Sequence, residues 1–234
     1  MDERFLRYSR QIFIEEIGVE GQKKISSAKI LVVGAGGLGS PIIQYLAAAG
    51  VSTLGVAEFD VLEIHNLNRQ VIHSEKNIGK LKVESASEFV QSLNNDVTFV
   101  PINEKITREN VGTILSPYDI ILDGSDNFAT RYIVNDACVL LGKTLVYGSI
   151  LSFEGQVAVF NHKGSKNLRD LFPEPPSEEN IPDCDNSGVL GPLPGIIGSI
   201  MAMHALQVIC DLDVMSNQLL LINTKKWEFT KVGF

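Results

Sequence analysis

A glycine-rich run, Gly34-Ala-Gly-Gly-Leu-Gly39, follows an apolar stretch and precedes a helix-forming one. Gly34 permits a tight turn, Gly36 lets the backbone approach a phosphate, and Gly39 allows the helix to lie close to the sheet. The amides of this turn, including that of Gly37, form an anion site together with the dipole of the helix behind them. The run predicts a nucleotide site without saying which nucleotide binds. The alternative is a glycine-rich turn that has no ligand.

Acidic residues follow the next predicted strand. Glu58 lies about twenty residues beyond the last glycine, where a dinucleotide site has the acid that binds the ribose hydroxyls, and Asp60 follows two residues later. These residues alone would fit an NAD-dependent oxidoreductase, which remains an alternative of another class.

Cations near these strand ends favour a different nucleotide. The loop after the acid carries Asn66, Arg69 and Gln70, and the next helix opens with Lys80 and Lys82. Arg69 and Lys82 together would over-neutralise a diphosphate but suit a triphosphate, because Arg and Lys are the usual partners of phosphate oxygens. We interpret Lys80 as a solvated surface charge.

A second acidic cluster, Asp123-Gly-Ser-Asp126-Asn127, opens a predicted helix after another strand. An Asp at the carboxyl end of a parallel strand lies where such sheets bind ligands. We expect Asp126 to hold Mg²⁺ on the phosphates, because hard cations prefer carboxylate oxygen. Alternatively, Asp126 or Ser125 caps the helix, and the two roles are compatible.

The elements that position these residues alternate along the chain, and short joints between strand and helix predict a Rossmann-like, doubly wound α/β sheet that is mostly parallel. An antiparallel extension follows, with a helix within 196–211, and part of 3–26 is expected to be helical, ending near Gly18. The polar stretch 163–194 is interpreted as a functional loop or as disordered. Predicted strands are 29–33, 52–59, 98–102, 118–123, 144–150, 156–160, 219–222 and 227–232; predicted helices are 40–50, 82–94, 107–115 and 127–141.

Composition excludes several classes. The 234 residues carry a formal net charge of −8, which argues against a nucleic-acid backbone as the main ligand. No apolar run approaches the ~20 residues that cross a bilayer, and the N-terminus has no signal-peptide core. Three cysteines without close pairing argue against a disulfide framework and favour the cytoplasm. The cysteines and the four histidines show no zinc-ligand spacing.

Six motifs occur in an order that resembles the ThiF/MoeB/HesA family, bacterial relatives of the ubiquitin-activating enzymes, over nearly the whole chain. The resemblance implies a homodimer that binds Mg-ATP and adenylates the C-terminal Gly-Gly carboxylate of a ubiquitin-like sulfur carrier, releasing pyrophosphate. Thiamin-pathway members are the preferred match, and a carrier of the molybdopterin pathway is the alternative. The motifs are RYSRQI (7–12), GAGGLG (34–39), DVLEIHNLNRQ (60–70), IGKLKV (78–83), DGSDNFATR (123–131) and GVLGPLPGIIGS (188–199).

The resemblance also implies roles for single residues. Gly36 and its neighbouring amides would contact the nucleotide, and Glu58 would replace the family's usual Asp at the ribose. Asp126 would bind the metal, and Arg10 would reach into the site of the other subunit. Phosphate contacts are implied for Asn66, Arg69 and Lys82, and the nucleotide set is completed by Asp60, Gln70 and Asn127. Because the attacking carboxylate is already ionised near neutral pH, no general base is required.

Two features concern sulfur and zinc. Cys184 stands where thiamin-pathway members have a cysteine that links to the carrier; an inert thiol is the alternative, since Asp183 and Asp185 would raise its pKa. Many relatives carry two CxxC pairs, but 167–172 and 225–234 contain no cysteine, so we expect no zinc. The chain also stops where some relatives continue into a sulfurtransferase domain, which implies a separate sulfur donor.

The implied organisation is a single adenylation domain over 1–234. Residues 1–28 would form a helical segment, 29–150 the nucleotide-binding core and 151–234 the antiparallel extension on which the carrier docks. A non-catalytic relative that only binds a ubiquitin-like partner is a third alternative.

Overall fold

The computed structural model describes residues 6–176 and 188–234. Within them one sheet runs in the order β3-β2-β1-β4-β5-β6-β7-β8. The first five strands pair in parallel and the last three continue the sheet in antiparallel fashion. The strands are β1 Lys29–Val33, β2 Thr53–Ala57, β3 Thr98–Ile102, β4 Ile120–Asp123, β5 Thr144–Leu151, β6 Glu154–Phe160, β7 Gln218–Asn223 and β8 Glu228–Gly233.

Helices cover both faces of this sheet, as the alternating pattern predicts. Short 3₁₀ turns at Ile64–Asn66 and Glu75–Asn77 lie between β2 and the next helix. The α-helices are α1 Ser9–Ile12, α2 Gly18–Ile25, α3 Gly39–Ala49, α4 Lys82–Leu93, α5 Val111–Leu115, α6 Phe128–Leu141, α7 Leu168–Leu171 and α8 Pro192–Ile209. The predicted Rossmann-like, mostly parallel sheet with an antiparallel extension is confirmed.

The two apolar faces of the sheet follow from the sequence of β1. Successive side chains of a strand point to opposite faces, and here both faces are covered. Ile30 and Val32 pack in the cluster that contains residues of α3, α4 and α8. Leu31 and Val33 pack in the cluster that contains residues of α5 and α6. An uninterrupted apolar strand is therefore required at this central position.

The strand order reverses between β2-β1 and β4-β5, so the crossover helices leave β1 in opposite directions. In such sheets a crevice opens at the carboxyl ends of the strands on either side of the reversal. The carboxyl end of β1 leads into the glycine run, and that of β4 leads into the acidic cluster beginning at Asp123. The fold therefore brings together segments about ninety residues apart in the chain.

The prediction of a helix ending near Gly18 is wrong. Residues 9–12 form the short α1, and α2 begins at Gly18, whose φ of +55° suits glycine at a change of chain direction. Helix α8 starts at Pro192, earlier than expected, because proline fits the first turn of a helix. The polar stretch 163–194 is partly regular, since it includes α7 and the start of α8; its residues 177–187 lie outside the described ranges.

Helix α8 is the one helix in the described ranges whose length and composition would allow it to cross a membrane. It packs instead against α3, β5 and β6, and Leu193, Ile197 and Met201 are buried in the main core cluster. These contacts are those of a core helix.

Replacing Gly39 by Ala tests the tight approach of α3 to the sheet. A Cβ at this position would lie 2.0 Å from the carbonyl oxygen of Gly34, so we expect Gly39→Ala to lower the free energy of unfolding by about 2–3 kcal/mol. Gly112→Ala is the matched control, because a Cβ there meets nothing within 4 Å, and it should be neutral or slightly stabilising. Urea unfolding measures both; equal stabilities would contradict the described packing.

Candidate functional site

A cavity of about 630 Å³ lies at the carboxyl ends of the parallel strands, between the glycine run and the acidic cluster. It collects most of the residues that the sequence singled out. Gly39, Asn66 and Arg10 are not part of its lining. The predicted residues that line it are Gly34, Gly36, Gly37, Glu58, Asp60, Arg69, Gln70, Lys82, Asp126 and Asn127.

The glycine run makes a turn that a side chain would obstruct. Gly34 has a φ of +93°, and a Cβ there would lie 3.1 Å from the carbonyl oxygen of Gly124. Gly36 and Gly37 face the cavity. No side chain caps the start of α3. The Ser40 amide donates to the Gly36 carbonyl oxygen at 2.9 Å and Pro41 has no N–H, so among the described residues of the first turn the Gly39 amide is the one without a hydrogen-bond partner.

Glu58 braces this turn in addition to lining the cavity. Its Oε2 accepts a hydrogen bond from the Ala35 amide at 3.0 Å, and its Oε1 accepts from the amides of Phe59 and Asp60 at 2.8 and 2.9 Å. The carboxylate is 8% exposed. One further lone pair on Oε2 remains for a ligand hydroxyl, so bracing and ribose binding are compatible.

Lys82 is the most buried cation predicted for the site. Its residue is 6% exposed, and Nζ lies 3.0 Å from Oδ2 of Asp60. The Lys82 amide also donates to the Asp60 carbonyl oxygen at 2.8 Å, which fixes the start of α4 against the end of β2. By contrast, Lys80 pairs with Glu88 away from the cavity, as expected of a surface charge.

Arg69 lies opposite Lys82 on the loop that follows β2. Its Nη1 donates to the carbonyl oxygen of His65 and to Oδ1 of Asn68, at 3.0 and 3.1 Å. These neutral acceptors leave its charge uncompensated within hydrogen-bond distance among the described residues. The guanidinium is therefore suited to an anionic ligand.

Asn66 and Gln70 differ in what they face. Asn66 is buried, and its Oδ1 accepts from the Glu63 amide at 3.0 Å, so it shapes the loop that carries Arg69. Gln70 lines the cavity, and its buried Oε1 has no hydrogen-bond partner in the described residues. Its position in the cavity lining makes this oxygen a candidate acceptor for a ligand.

The acidic cluster turns around a buried carboxyl group. Asp123 Oδ1 accepts from the Ser125 amide at 2.9 Å, and burial raises the pKa of Asp123. Asn127 caps α6 by accepting from the Thr130 amide at 2.9 Å, so the helix cap predicted at this turn belongs to Asn127. Asp126 is exposed and lines the cavity; its Oδ1 accepts from Asn127 Nδ2 at 3.4 Å, and its remaining lone pairs are accessible to a cation.

Arg131 is a cavity residue whose role the sequence did not indicate. It is buried, and it donates to the hydroxyl of Tyr147 at 2.9 Å and to the carbonyl oxygen of Ser125 at 2.8 Å. A cation in the first turn of a helix opposes the helix dipole. That mismatch, at the start of α6, is the sequence signal that could have identified Arg131.

His73 was also missed. It is buried behind the glycine turn, with Nε2 3.0 Å from the Ala35 carbonyl oxygen and Nδ1 2.8 Å from Oγ of Ser85. Burial lowers the pKa of His73, and the neighbouring Lys82 lowers it further. A lone histidine in a polar loop carries no spacing signal that would have revealed these contacts.

The other end of the cavity reaches the antiparallel part of the sheet, at Tyr147, Ser149 and Gln156, and one wall is the segment 168–176. Arg169 fixes this wall by donating to both carboxylate oxygens of Asp136, at 2.7 and 2.8 Å. The cavity therefore has an end lined by charged side chains of both signs and a second end bounded by tyrosines and apolar side chains.

The segment 167–172, predicted to lack a zinc ligand pair, is closed by hydrogen bonds. Asp170 Oδ2 accepts from the Asn167 amide and from its Nδ2, at 2.8 and 2.7 Å. Across residues 6–176 and 188–234, no three His, Cys, Asp or Glu side chains come together as a metal site. Cys184 lies outside these residues. Cys138 and Cys210 are buried, and burial raises the pKa of both thiols.

Comparison with known proteins places this chain in a family. The ThiF family model matches residues 8–233. The adenylyltransferase and sulfurtransferase MOCS3 of Culex quinquefasciatus is 47% identical over 224 residues, which are 95% of this chain and 51% of that protein. The sulfur carrier protein adenylyltransferase of Thermus thermophilus is 45% identical over 232 residues, which are 97% of this chain and 86% of that protein.

Solved structures show the same fold at low identity. PaaA superposes with a TM-score of 0.86 and 18% identity, covering 100% of this chain and 74% of that one. MccB of E. coli, solved with ATP, superposes with a TM-score of 0.85 and 20% identity, covering 97% of this chain and 71% of that one.

The fold and the cavity define an α/β protein of the doubly wound class with a cavity at the carboxyl ends of its parallel strands. The chain belongs to the ThiF family, which confirms the resemblance found in its motifs. It spans about half the length of the MOCS3 relatives that it matches.

The bracing role of Glu58 can be measured without any ligand. We expect Glu58→Gln to lower the free energy of unfolding by about 2 kcal/mol, because the amide cannot accept from all three backbone N–H groups. Glu104→Gln is the matched control, since Glu104 also lines the cavity but is exposed and accepts only from Asn110 among the described residues. Urea unfolding that ranks the two variants equally would contradict this role.

Proposed function

We propose that this protein adenylates the C-terminal carboxylate of a ubiquitin-like sulfur-carrier protein ending in Gly-Gly, using ATP and Mg²⁺ and releasing pyrophosphate. The main support is that buried Lys82, the glycine turn and Arg69 all line one cavity. The names of three relatives agree with this activity, because the MOCS3 proteins of Culex quinquefasciatus and Anopheles gambiae and the Thermus protein are all called adenylyltransferases.

The end of the cavity that contains Arg69 and Lys82 suits a triphosphate. Gly36 and Gly37 line the cavity. Lys82, at the start of α4, and Arg69, on the loop after β2, line it as well. Unpaired Oε1 of Gln70 and the remaining lone pair on Glu58 supply acceptors for hydroxyl groups of the nucleoside. The same cavity therefore offers cations for phosphates and acceptor oxygens for the hydroxyl groups of a nucleoside.

The chain's residues also fit a magnesium ion. Mg²⁺ is usually held by one or two carboxylates together with substrate phosphates, and Asp126 offers one exposed carboxylate at the cavity rim. When bound to the phosphates, Mg²⁺ neutralises charge as the pyrophosphate leaves. Asp126 would hold it, and Asn127 fixes the start of α6 behind Asp126.

The reaction then needs positioning and charge neutralisation. The carrier carboxylate attacks the α-phosphorus, forming a carboxyl–phosphate bond while the bond to pyrophosphate breaks. Lys82 and Arg69 compensate the charge that develops on the leaving group. The attacking carboxylate is already ionised, so no side chain has to remove a proton.

The second end of the cavity is proposed to receive the carrier tail. Ser149 and Gln156 present polar groups there, and Tyr147 and Phe172 form an apolar wall. This end lies against the 151–234 extension, which we propose as the docking surface. A ThiS-like carrier of thiamin synthesis is our first choice, because of Cys184, and a MoaD-like carrier is the alternative; the sulfur would come from a separate donor.

ATP–pyrophosphate exchange that depends on a carrier ending in Gly-Gly tests the proposal. We expect Lys82→Ala to slow exchange by about a hundredfold or more, because a buried cation at the phosphates is lost. Lys80→Ala, which removes a surface charge two residues away, should change exchange less than about twofold. Assays with ThiS-like and MoaD-like carriers separate the two pathways, and absence of exchange with both would refute the proposal.

We also propose that the protein is a homodimer in which Arg10 completes the partner's site. Arg10 is exposed on α1 and does not line its own cavity, and Phe13, three residues further along the chain, is 76% exposed. Met203 of α8 and Tyr45 of α3 are also exposed on the helices of that side of the sheet. Covering these apolar side chains would support association.

Mixing two inactive variants tests this arrangement. Arg10→Ala and Lys82→Ala homodimers should each be inactive, but a mixed dimer contains one site with both native residues. Exchange should recover to about a quarter of the native rate after mixing and re-equilibration. If Arg10 acts within its own subunit, every site of the mixed dimer lacks one residue and no activity returns.

A further inference from the structure

His73 connects the two elements that are proposed to bind phosphate. Its Nε2 lies 3.0 Å from the carbonyl oxygen of Ala35 in the glycine turn, and its Nδ1 lies 2.8 Å from Oγ of Ser85. Ser85 belongs to the first turn of α4, the helix that begins at Lys82. His73 is 7% exposed and does not line the cavity, so it reaches the turn from the protein interior.

The partners of His73 determine its protonation state. A carbonyl oxygen can only accept a hydrogen bond, so Nε2 carries the proton and donates to Ala35. Burial lowers the pKa of the ring, which favours the neutral form near pH 7. In that form Nδ1 accepts, and the Ser85 hydroxyl donates to it.

Holding the Ala35 carbonyl also fixes the next amide. The C=O of Ala35 and the N–H of Gly36 belong to one planar trans peptide, so they point in opposite directions. His73 draws the carbonyl toward the interior, and the N–H of Gly36 therefore points toward the cavity that Gly36 lines. In residues 6–176 and 188–234 this N–H has no hydrogen-bond partner, which leaves it available to an anion.

Among the described residues, His73 is the hydrogen-bond partner of the 35–36 peptide, whereas the next peptide is held by Ser40, whose amide and hydroxyl donate to the Gly36 carbonyl oxygen at 2.9 and 2.8 Å. Gly36 has no Cβ, so rotation of the 35–36 peptide meets little steric resistance. The preceding peptide is already fixed, because the Ala35 amide donates to Glu58 at 3.0 Å. His73 supplies the corresponding restraint on the carbonyl side, and its bond to Ser85 ties that restraint to the helix of Lys82.

From these contacts we infer that His73 is a positioning residue: it orients the Gly36 amide toward the phosphates and keeps that amide in register with Lys82. The identity of the phosphate ligand as ATP rests on the proposed function. The orientation of the 35–36 peptide does not depend on the proposed function, because it follows from the contacts of His73.

Two substitutions separate the two hydrogen bonds of the ring. His73→Gln places an amide N–H near the position of Nε2 and can still donate to Ala35. His73→Asn is shorter, reaches the position of Nδ1, and leaves the Ala35 carbonyl without its donor. The affinity for Mg-ATP, measured by calorimetry, should fall roughly tenfold in His73→Asn and stay within about twofold in His73→Gln. Equal affinities in the two variants would overturn the inference.

Adenosine serves as the control ligand, since it lacks phosphates. Its affinity should be the same in both variants if His73 acts through the Gly36 amide, whereas general damage to the site would weaken adenosine and ATP alike and overturn the inference. In native protein, the ¹⁵N–¹H signal of Gly36 should shift with Mg-ATP and not with adenosine; an unmoved signal despite ATP binding would also overturn it.

A crystal structure of ligand-free His73→Gln and His73→Asn gives a test independent of ATP. The 35–36 peptide should keep its native orientation in the Gln variant and rotate in the Asn variant, and an unrotated peptide in both would refute the positioning role. If His73→Asn does not fold, His73→Leu replaces it, because it keeps a buried side chain of similar size, leaves the Ala35 carbonyl without its donor, and should weaken Mg-ATP binding but not adenosine binding. Absence of carrier-dependent exchange in native protein would refute the proposed function alone.

Discussion

The candidate site depends on keeping a lysine charged where little water reaches it. An ammonium group loses much of its hydration when it is buried, and this cost is offset only by a close opposite charge. Lys82 meets the requirement through the Asp60 carboxylate at 3.0 Å, and its backbone amide is tied to the same residue. In a chain of net charge −8, such local pairing keeps a buried ammonium group in place beside the cavity.

The second requirement is that backbone amides face the ligand. Peptide dipoles are useful to an anion only when they cannot rotate away, and glycine gives little resistance to rotation. The structure compensates by holding the Ala35 peptide groups from two sides, with Glu58 at the N–H and His73 at the carbonyl. The freedom that glycine gives for close approach is thus combined with restraints from β2 and from the loop before α4.

Much of the architecture could be predicted because it depends on short-range pattern. The uninterrupted apolar run of β1 and the glycine run after it predict strand, turn and helix, and parallel pairing then brings Glu58, Lys82 and Asp126 to one edge. The N-terminal helices were mispredicted because Gly18 can begin a helix as well as end one, depending on tertiary context.

The remaining features depend on contacts between distant residues, which a single sequence does not reveal. His73 meets Ala35 across 38 positions, and the sequence offers no spacing that pairs them. Asn66 reads as a phosphate ligand from its motif, yet its side-chain oxygen holds the loop that carries Arg69. Arg131 could not be identified for the same reason, because its role depends on hydrogen bonds that it donates to Tyr147 on β5 and to the carbonyl oxygen of Ser125.

The most direct measurement is a calorimetric comparison of Mg-ATP, AMP and NADH on the native protein at one ionic strength. If Lys82, Arg69 and the glycine amides bind a triphosphate, Mg-ATP should bind at least about tenfold more tightly than AMP, since each charge-assisted contact to the terminal phosphates adds affinity. NADH should bind weakly or not at all. Tight binding of NADH with no detectable binding of Mg-ATP would contradict the account.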